Sequence, residues 1–134
     1  MPLLPLQVCA GIIIDKNKFL LCQRKEEKHK GAWEFPGGKV EAKESHQEAL
    51  KRELKEELGI SCEIGPHFQS ILFKYEKNKQ LNLHCYIINS FSGEIHCHTH
   101  TQAVWITAEE APFYKLLPAD LPVMEKLIRQ KKSR

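Results

Sequence analysis

Between residues 37 and 60 the chain reads GGKVEAKESHQEALKRELKEELGI, which sets Glu53, Glu56 and Glu57 close together on a helix beside Leu50, Leu54 and Leu58. At about 100° per residue the leucines form one stripe, with Glu57 within about 20° of its edge and Glu53 within about 60°. An ordinary amphipathic helix sends its acids to the opposite face, because a partly desolvated carboxylate is costly unless a cation compensates it, and like charges at i,i+4 repel. Arg52, about 40° round from Glu56, offsets one charge, whereas Lys51 and Lys55 point largely to solvent. A divalent ion compensates better: Mg²⁺ takes hard oxygen ligands in an octahedral shell and bridges to phosphate oxygens. The competing reading is a solvated helix laced with Glu–Lys pairs. FPGG, just before the helix, tips the balance, because its glycines allow a tight turn or a close approach to a ligand and a carbonyl there can add an oxygen ligand.

The elements that must carry this helix follow from local signals. Ser45 with Glu48 forms a capping box at its start, and Gly59 stops it after Leu58. QVCAGIIID and KFLLCQR read as a hairpin across DKNK, and HFQSILFKYE and LNLHCYIINSF as a second antiparallel pair across KNKQ. GAWEFPGG reads as a loop, AVWIT as a short strand, and Thr107 with Glu110 as the capping box of a brief helix. Asp120 opens the last helix, LPVMEKLIRQ, where aspartate caps and proline suits the first turn. Irregular alternation of strands and helices predicts a mixed sheet with helices packed on it, rather than a doubly wound parallel fold.

Length and composition bound the rest. A chain of 134 residues fits one domain, and 42% apolar with 28% charged residues are ordinary soluble values. No apolar run approaches the roughly 20 residues that span a bilayer, and the N-terminal MPLLPLQVCAGIIID, which lacks a basic start, reads as a buried strand rather than a signal segment. A cytoplasmic protein is expected. Five scattered cysteines suit reduced core thiols, not disulfides or a zinc site. The net charge of +3, with basic runs at RKEEKHK and in the tail RQKKSR, suits a small polyanion but is too weak for a nucleic-acid groove.

The sequence resembles the Nudix family, whose box is G-x5-E-x7-R-E-U-x-E-E-x-G-U with U aliphatic. Gly38, Glu44, Arg52, Glu53, Leu54, Glu56, Glu57, Gly59 and Ile60 fill every position. LLCQR, WEFPGGKVE, VWIT and LPADLPVMEKL extend the likeness over nearly the whole chain, toward the MutT branch and its bacterial CTP and oxidised-nucleotide pyrophosphohydrolases. The resemblance implies one Nudix domain over residues 1–134 and an α+β fold: an α/β/α sandwich with a mixed β-sheet and a loop-helix-loop catalytic motif. It implies hydrolysis of a nucleoside triphosphate to monophosphate and pyrophosphate for nucleotide-pool sanitation, bearing on DNA repair. By the same likeness Glu53, Glu56, Glu57 and the Gly37 carbonyl hold Mg²⁺, or Mn²⁺, Arg52 orients the cluster, and Glu53 or a loop carboxylate takes the water proton, with Glu44 the lesser candidate. Such chemistry needs neutralised phosphoryl oxygens, an aligned water and a base.

Substrate-contact residues implied by the resemblance are Arg24, His29, Phe35, Pro36, Gly37, Gly38, Lys39 and Asp120; Lys79 is a further phosphate candidate, more simply read as an exposed turn lysine. An ionised Asp120 only accepts, matching two donors on guanine, whereas a protonated one serves cytosine. The chain departs from MutT-type relatives at Thr99, where they carry a loop glutamate that supplies a metal ligand or base. His96, His98 and His100 alternate as along one strand face and read more simply as surface residues than as ligands, imidazole being softer than Mg²⁺ prefers; Glu94 is another nearby carboxylate. A monomer or weak homodimer without membrane or stable nucleic-acid partners is expected. The alternatives are hydrolysis of ADP-ribose or a dinucleoside polyphosphate, and a non-catalytic Nudix-fold nucleotide-binding module.

Overall fold

The computed structural model describes residues 4–132; Met1 to Leu3 of the apolar N-terminus and Ser133 and Arg134 of the basic tail lie outside the described residues. Strand β1 (Leu6–Asp15) turns at Lys16 and Asn17 into β2 (Lys18–Arg24). Both turn residues have positive φ, 51° and 66°, which matches the twist of a tight hairpin. The hairpin is much shorter than expected: β1 and β2 pair only at Ile14–Phe19 and Asp15–Lys18 and then diverge. The opening is filled by the segment expected to be a loop. Trp33–Glu34 forms β3 against β2, and Gly37–Lys39 forms β4 against Val8 to Ala10 of β1. Glycine and proline disfavour strands in isolation, but the partner strands here supply a ladder to join, and the Pro36 carbonyl accepts from Gly11 N–H at 2.8 Å where the path crosses over.

Helix α1 (His46–Leu58) follows, then β5 (Ser61–Glu63) and the hairpin β6 (His67–Glu76) and β7 (Lys79–Ile88). β7 runs parallel to β1 from Leu6–Leu81 to Ile13–Ile88 and antiparallel to β6, so the sheet is mixed. The strand expected to continue through Phe91 breaks at Asn89; Ser90–Ser92, here β8, pairs with β5 in a separate small sheet. β9 (His100–Ile106) pairs along the other side of β2, beginning well before the expected AVWIT. The brief helix after Thr107 is 3-10, Ala108–Phe113, its Glu110 carboxylate accepting from Thr107 N–H at 2.8 Å. A 3-10 turn at Pro118–Asp120 leads into α2 (Leu121–Lys132).

Both faces of the sheet are apolar, as the near-continuous runs in β1 and β2 require. Cys9, Ile13, Leu20, Cys22, Tyr86 and Ile88 pack on the α1 side against Leu50, Leu54 and Leu58; Ala10, Ile12, Phe19, Leu21, Leu83 and Cys85 pack on the α2 side against Val123, Met124 and Leu127. Each fully buried leucine of α1 contributes on the order of 2 kcal/mol, which anchors the acidic helix to the sheet. Cys9, Cys22, Cys62 and Cys85 are buried thiols and Cys97 an exposed one, all free. Among the described residues no helix is long and apolar enough to cross a membrane.

Candidate active site

Helix α1 is fixed at both ends by its own sequence. Ser45 Oγ accepts from Glu48 N–H at 3.0 Å while the Glu48 carboxylate accepts from Ser45 N–H at 2.9 Å. Gly59 takes the left-handed conformation, φ 74°, that closes the C-terminus. The segment after β8 adds what local signals did not announce: His96 and His98 N–H groups donate to the Leu58 and Glu57 carbonyls at 2.9 and 3.0 Å. These otherwise orphaned helix carbonyls are thereby satisfied, and the loop is tied beside Glu57.

Arg52 gathers the acids. Its Nε and Nη2 donate to the two oxygens of Glu44 at 2.8 and 2.9 Å, its Nη1 to Glu53 at 2.9 Å and to Glu56 at 3.3 Å, and Nη2 also reaches the Lys39 carbonyl at 3.1 Å. This fork-to-fork pair fixes β4 and the loop that follows it to the helix. Arg52, then the Glu41 N–H, hold the Glu44 carboxyl at about 2, well below its ordinary value. Glu53 lies against Gly38: a β-carbon there would sit 2.4 Å from the Glu53 carboxyl, so only glycine permits the approach. At Gly37 a β-carbon would strike the Cys9 carbonyl at 2.0 Å.

Glu57 sits deepest of the helix's acids, its residue buried beside the leucine stripe, and its Oε2 has no hydrogen-bond partner. Burial first, then the facing Glu53 carboxyl, push its proton affinity well above the ordinary carboxylate range. Among the described residues no trio of His, Cys, Asp or Glu already stands in ligand arrangement, and Arg52 pairs with both Glu53 and Glu56. The donors nevertheless fit a hard divalent cation: an orphaned buried carboxylate oxygen, a second carboxylate in a glycine cradle and a third on the exposed side, all oxygen.

Glu57 also lines a cleft of about 630 Å³ that runs from Gly37, Gly38 and Lys39 past Phe35 to Asp120. Arg24 and His29 border it, and its outer wall carries Phe73 and Tyr75. Phe35 is buried, so its ring is core as well as wall, and Pro36 is fully buried. Asp120 is buried too. Its carboxylate accepts from Phe35 N–H across the chain; desolvation, then the Glu34 charge, raise its proton affinity well above the ordinary value, opposed by Arg24 and that N–H. Lys79 pairs with Glu76 at 3.3 Å, on the hairpin turn.

The histidines do not share a strand face. β9 begins only at His100, which is buried, while His96 and His98 are exposed on the preceding loop. His100 Nε2 lies 2.7 Å from Glu34, whose other oxygen accepts from Arg24 at 3.1 Å. Glu34 carries no signal in the sequence, and His100, read there more simply as a surface residue, is buried at this site. Glu34 lies in GAWEFPGG, whose glycines and proline read as a loop but which contains strand β3, and the alternation of His96, His98 and His100 is the sequence signal for His100.

A cleft edged by close-approach glycines, with the buried Glu57 of the acidic helix on its wall and basic side chains on its rim, suits a divalent cation together with the phosphate chain of a nucleotide. The chain belongs to the Nudix family: the NUDIX domain matches residues 5–130. It is 39% identical over 130 residues to the CTP pyrophosphohydrolase of Escherichia coli K12, covering 96% of each chain, and 33% identical over 129 residues to the 8-oxo-dGTP diphosphatase of Haemophilus influenzae, covering 93% of each. The solution structure of the E. coli ORF135 protein superposes with a TM-score of 0.87 at 38% identity, covering 96% of this chain and 92% of that one. Hydrolases of this family are generally dependent on a divalent metal and act on nucleotide substrates.

Proposed function

We propose that the chain, as one domain over residues 1–134, is a divalent-metal-dependent nucleoside triphosphate pyrophosphohydrolase that releases pyrophosphate and a nucleoside monophosphate in nucleotide-pool sanitation. The observation that carries this reading is the orphaned, buried Glu57 Oε2 at the inner end of the cleft, beside Glu53 in its glycine cradle. Glu53, Glu56 and Glu57, with the Gly37 carbonyl, would hold Mg²⁺, or Mn²⁺ in its place. When bound, the ion neutralises phosphoryl oxygens and lowers the pKa of water near it. Arg52 keeps Glu44, Glu53 and Glu56 from splaying apart; Glu53 takes the proton of the attacking water, whose oxygen forms the new bond to phosphorus as the anhydride bridge departs with pyrophosphate. Lys39 and Arg24, on the rim, offset phosphate charge.

The base end favours cytidine triphosphates, with 8-oxo-dGTP the second candidate that the relatives' names suggest. Desolvation shifts Asp120 toward its protonated form, which presents one donor and one acceptor, the complement of cytosine N3 and N4, whereas the ionised form matches the two donors of guanine's edge. Buried, unpaired thiols agree with a cytoplasmic setting. A pyrophosphate-release panel of CTP, dCTP, 8-oxo-dGTP, the ordinary triphosphates and ADP-ribose, run with and without Mg²⁺, tests the reading. Metal-dependent release led by CTP and dCTP is expected; no release from any triphosphate overturns it.

A further inference from the structure

Glu57 is reached from behind by a chain of side chains that begins at the cleft rim. Arg24 Nη1 donates to Glu34 Oε1 at 3.1 Å, Glu34 Oε2 meets His100 Nε2 at 2.7 Å, and His100 Nδ1 stands 3.4 Å from Glu57 Oε2, the oxygen left without a hydrogen bond. Four elements contribute: β2, β3, β9 and α1. The meeting depends on an irregularity, since the β2–β9 register shifts between Gln23 and Arg24 and places Arg24 opposite His100. Such bulges re-aim side chains beside functional sites. The imidazole is 6% exposed and the Glu34 carboxylate 17%, so neither is a solvated surface group that happens to lie near.

We propose that His100 is a positioning residue for Glu57, its own ring orientation fixed by Glu34. A terminal carboxylate rotates freely about its last torsion unless something stands behind it, and a freely rotating ligand loses affinity to the entropy of ordering. The imidazole forms that backing wall on the Oε2 side. The 2.7 Å hydrogen bond from His100 Nε2 to Glu34 keeps the ring from turning away, and Arg24 in turn holds Glu34. Partners behind metal ligands characteristically set affinity in this way. Thr99, adjacent in sequence and 3.4 Å from His100 Nδ1 through its hydroxyl, carries no carboxylate, so Glu57 has its neighbour from this strand in the imidazole.

This inference rests on the metal reading above, and its test separates the two. Mn²⁺ binding to nucleotide-free protein is titrated by the electron-spin resonance signal of free Mn²⁺, alongside hydrolysis at saturating and limiting metal. His100→Phe keeps ring volume but removes both nitrogens; it is expected to weaken Mn²⁺ binding by about tenfold or more and to raise the metal concentration for half-maximal kcat by the same factor, leaving the KM for CTP at saturating metal within about twofold. Glu34→Gln shifts affinity in the same direction by less, and the double variant is no weaker than His100→Phe alone, as groups acting in one chain require. His100→Asn, smaller but still able to donate to Glu34, recovers part of the loss and serves if the phenylalanine variant does not fold. Wild-type Mn²⁺ affinity in both His100 variants, or losses that multiply in the double variant, overturns the proposal. Wild-type protein that binds no Mn²⁺ and hydrolyses nothing overturns the metal reading itself, and this inference with it.

Discussion

Arg52 and Glu44, eight residues apart, meet through two parallel hydrogen bonds, Nε to Oε2 at 2.8 Å and Nη2 to Oε1 at 2.9 Å, and this pair ties the loop before helix α1 to the face that carries the acids. A lysine offers one compact charge in place of a fork. Arg52→Lys is therefore expected to keep the fold but lower kcat by about tenfold or more, because Glu53 and Glu56 lose their common donor. Steady-state kinetics with circular dichroism checks this, and an unchanged kcat would remove Arg52 from its organising role.

Removing a ligand should act more strongly than loosening one. Glu53→Gln keeps shape and loses charge, and activity is expected to fall by at least about 100-fold, with excess EDTA abolishing the wild-type activity and added Mg²⁺ restoring it. Turnover of Glu53→Gln close to that of the wild type would refute its assignment.

The two glycines before the helix separate stability from catalysis. Gly38→Ala directs its new methyl group at the Glu53 carboxylate, a side chain that can move aside, so the protein should fold and lose activity. Gly37→Ala drives its methyl group into the Cys9 carbonyl, which belongs to a central strand and cannot yield; about 3 kcal/mol of stability or more should be lost. Equal urea midpoints for the two variants would contradict this division.

The depressed Glu44 pKa fixes the sign of an acid effect. Folded Glu44 titrates at about 2 against an ordinary 4.5, so the native state binds fewer protons between those values. Its contribution is fully present above about pH 4.5 and is lost as the pH falls toward 2. Glu44→Gln should therefore be less stable than the wild type at pH 6, with the gap closing as the pH drops through this window. A gap that holds constant to pH 3 in urea titrations would show that the Arg52 pairing does not depend on charge.

At the base end, asparagine reproduces the donor and acceptor of a neutral aspartic acid, and alanine supplies neither. Asp120→Asn should keep kcat/KM for CTP within about threefold, while Asp120→Ala loses about tenfold or more. Loss of CTP hydrolysis in both variants alike would mean that an ionised carboxylate is required, and would turn attention to guanine.

What the sequence determined by itself was local. The leucine stripe, the Ser45–Glu48 box, the Gly59 stop and the spacing of Glu53, Glu56 and Glu57 all lie within one helix and its ends, where geometry follows from position in the chain, and both expected caps are present. The mixed sheet followed from the order of apolar runs. Tertiary structure decided the rest. GAWEFPGG became two strands because β1 and β2 diverge and leave unpaired backbone groups for it to join. His100 became a buried neighbour of Glu57, and Glu34 its partner, because β9, β3 and α1 converge there, with the β2–β9 register shift setting Arg24 opposite His100. Contacts between groups so distant along the chain depend on how the sheet is threaded, and neither periodicity nor spacing within a single segment carries that information.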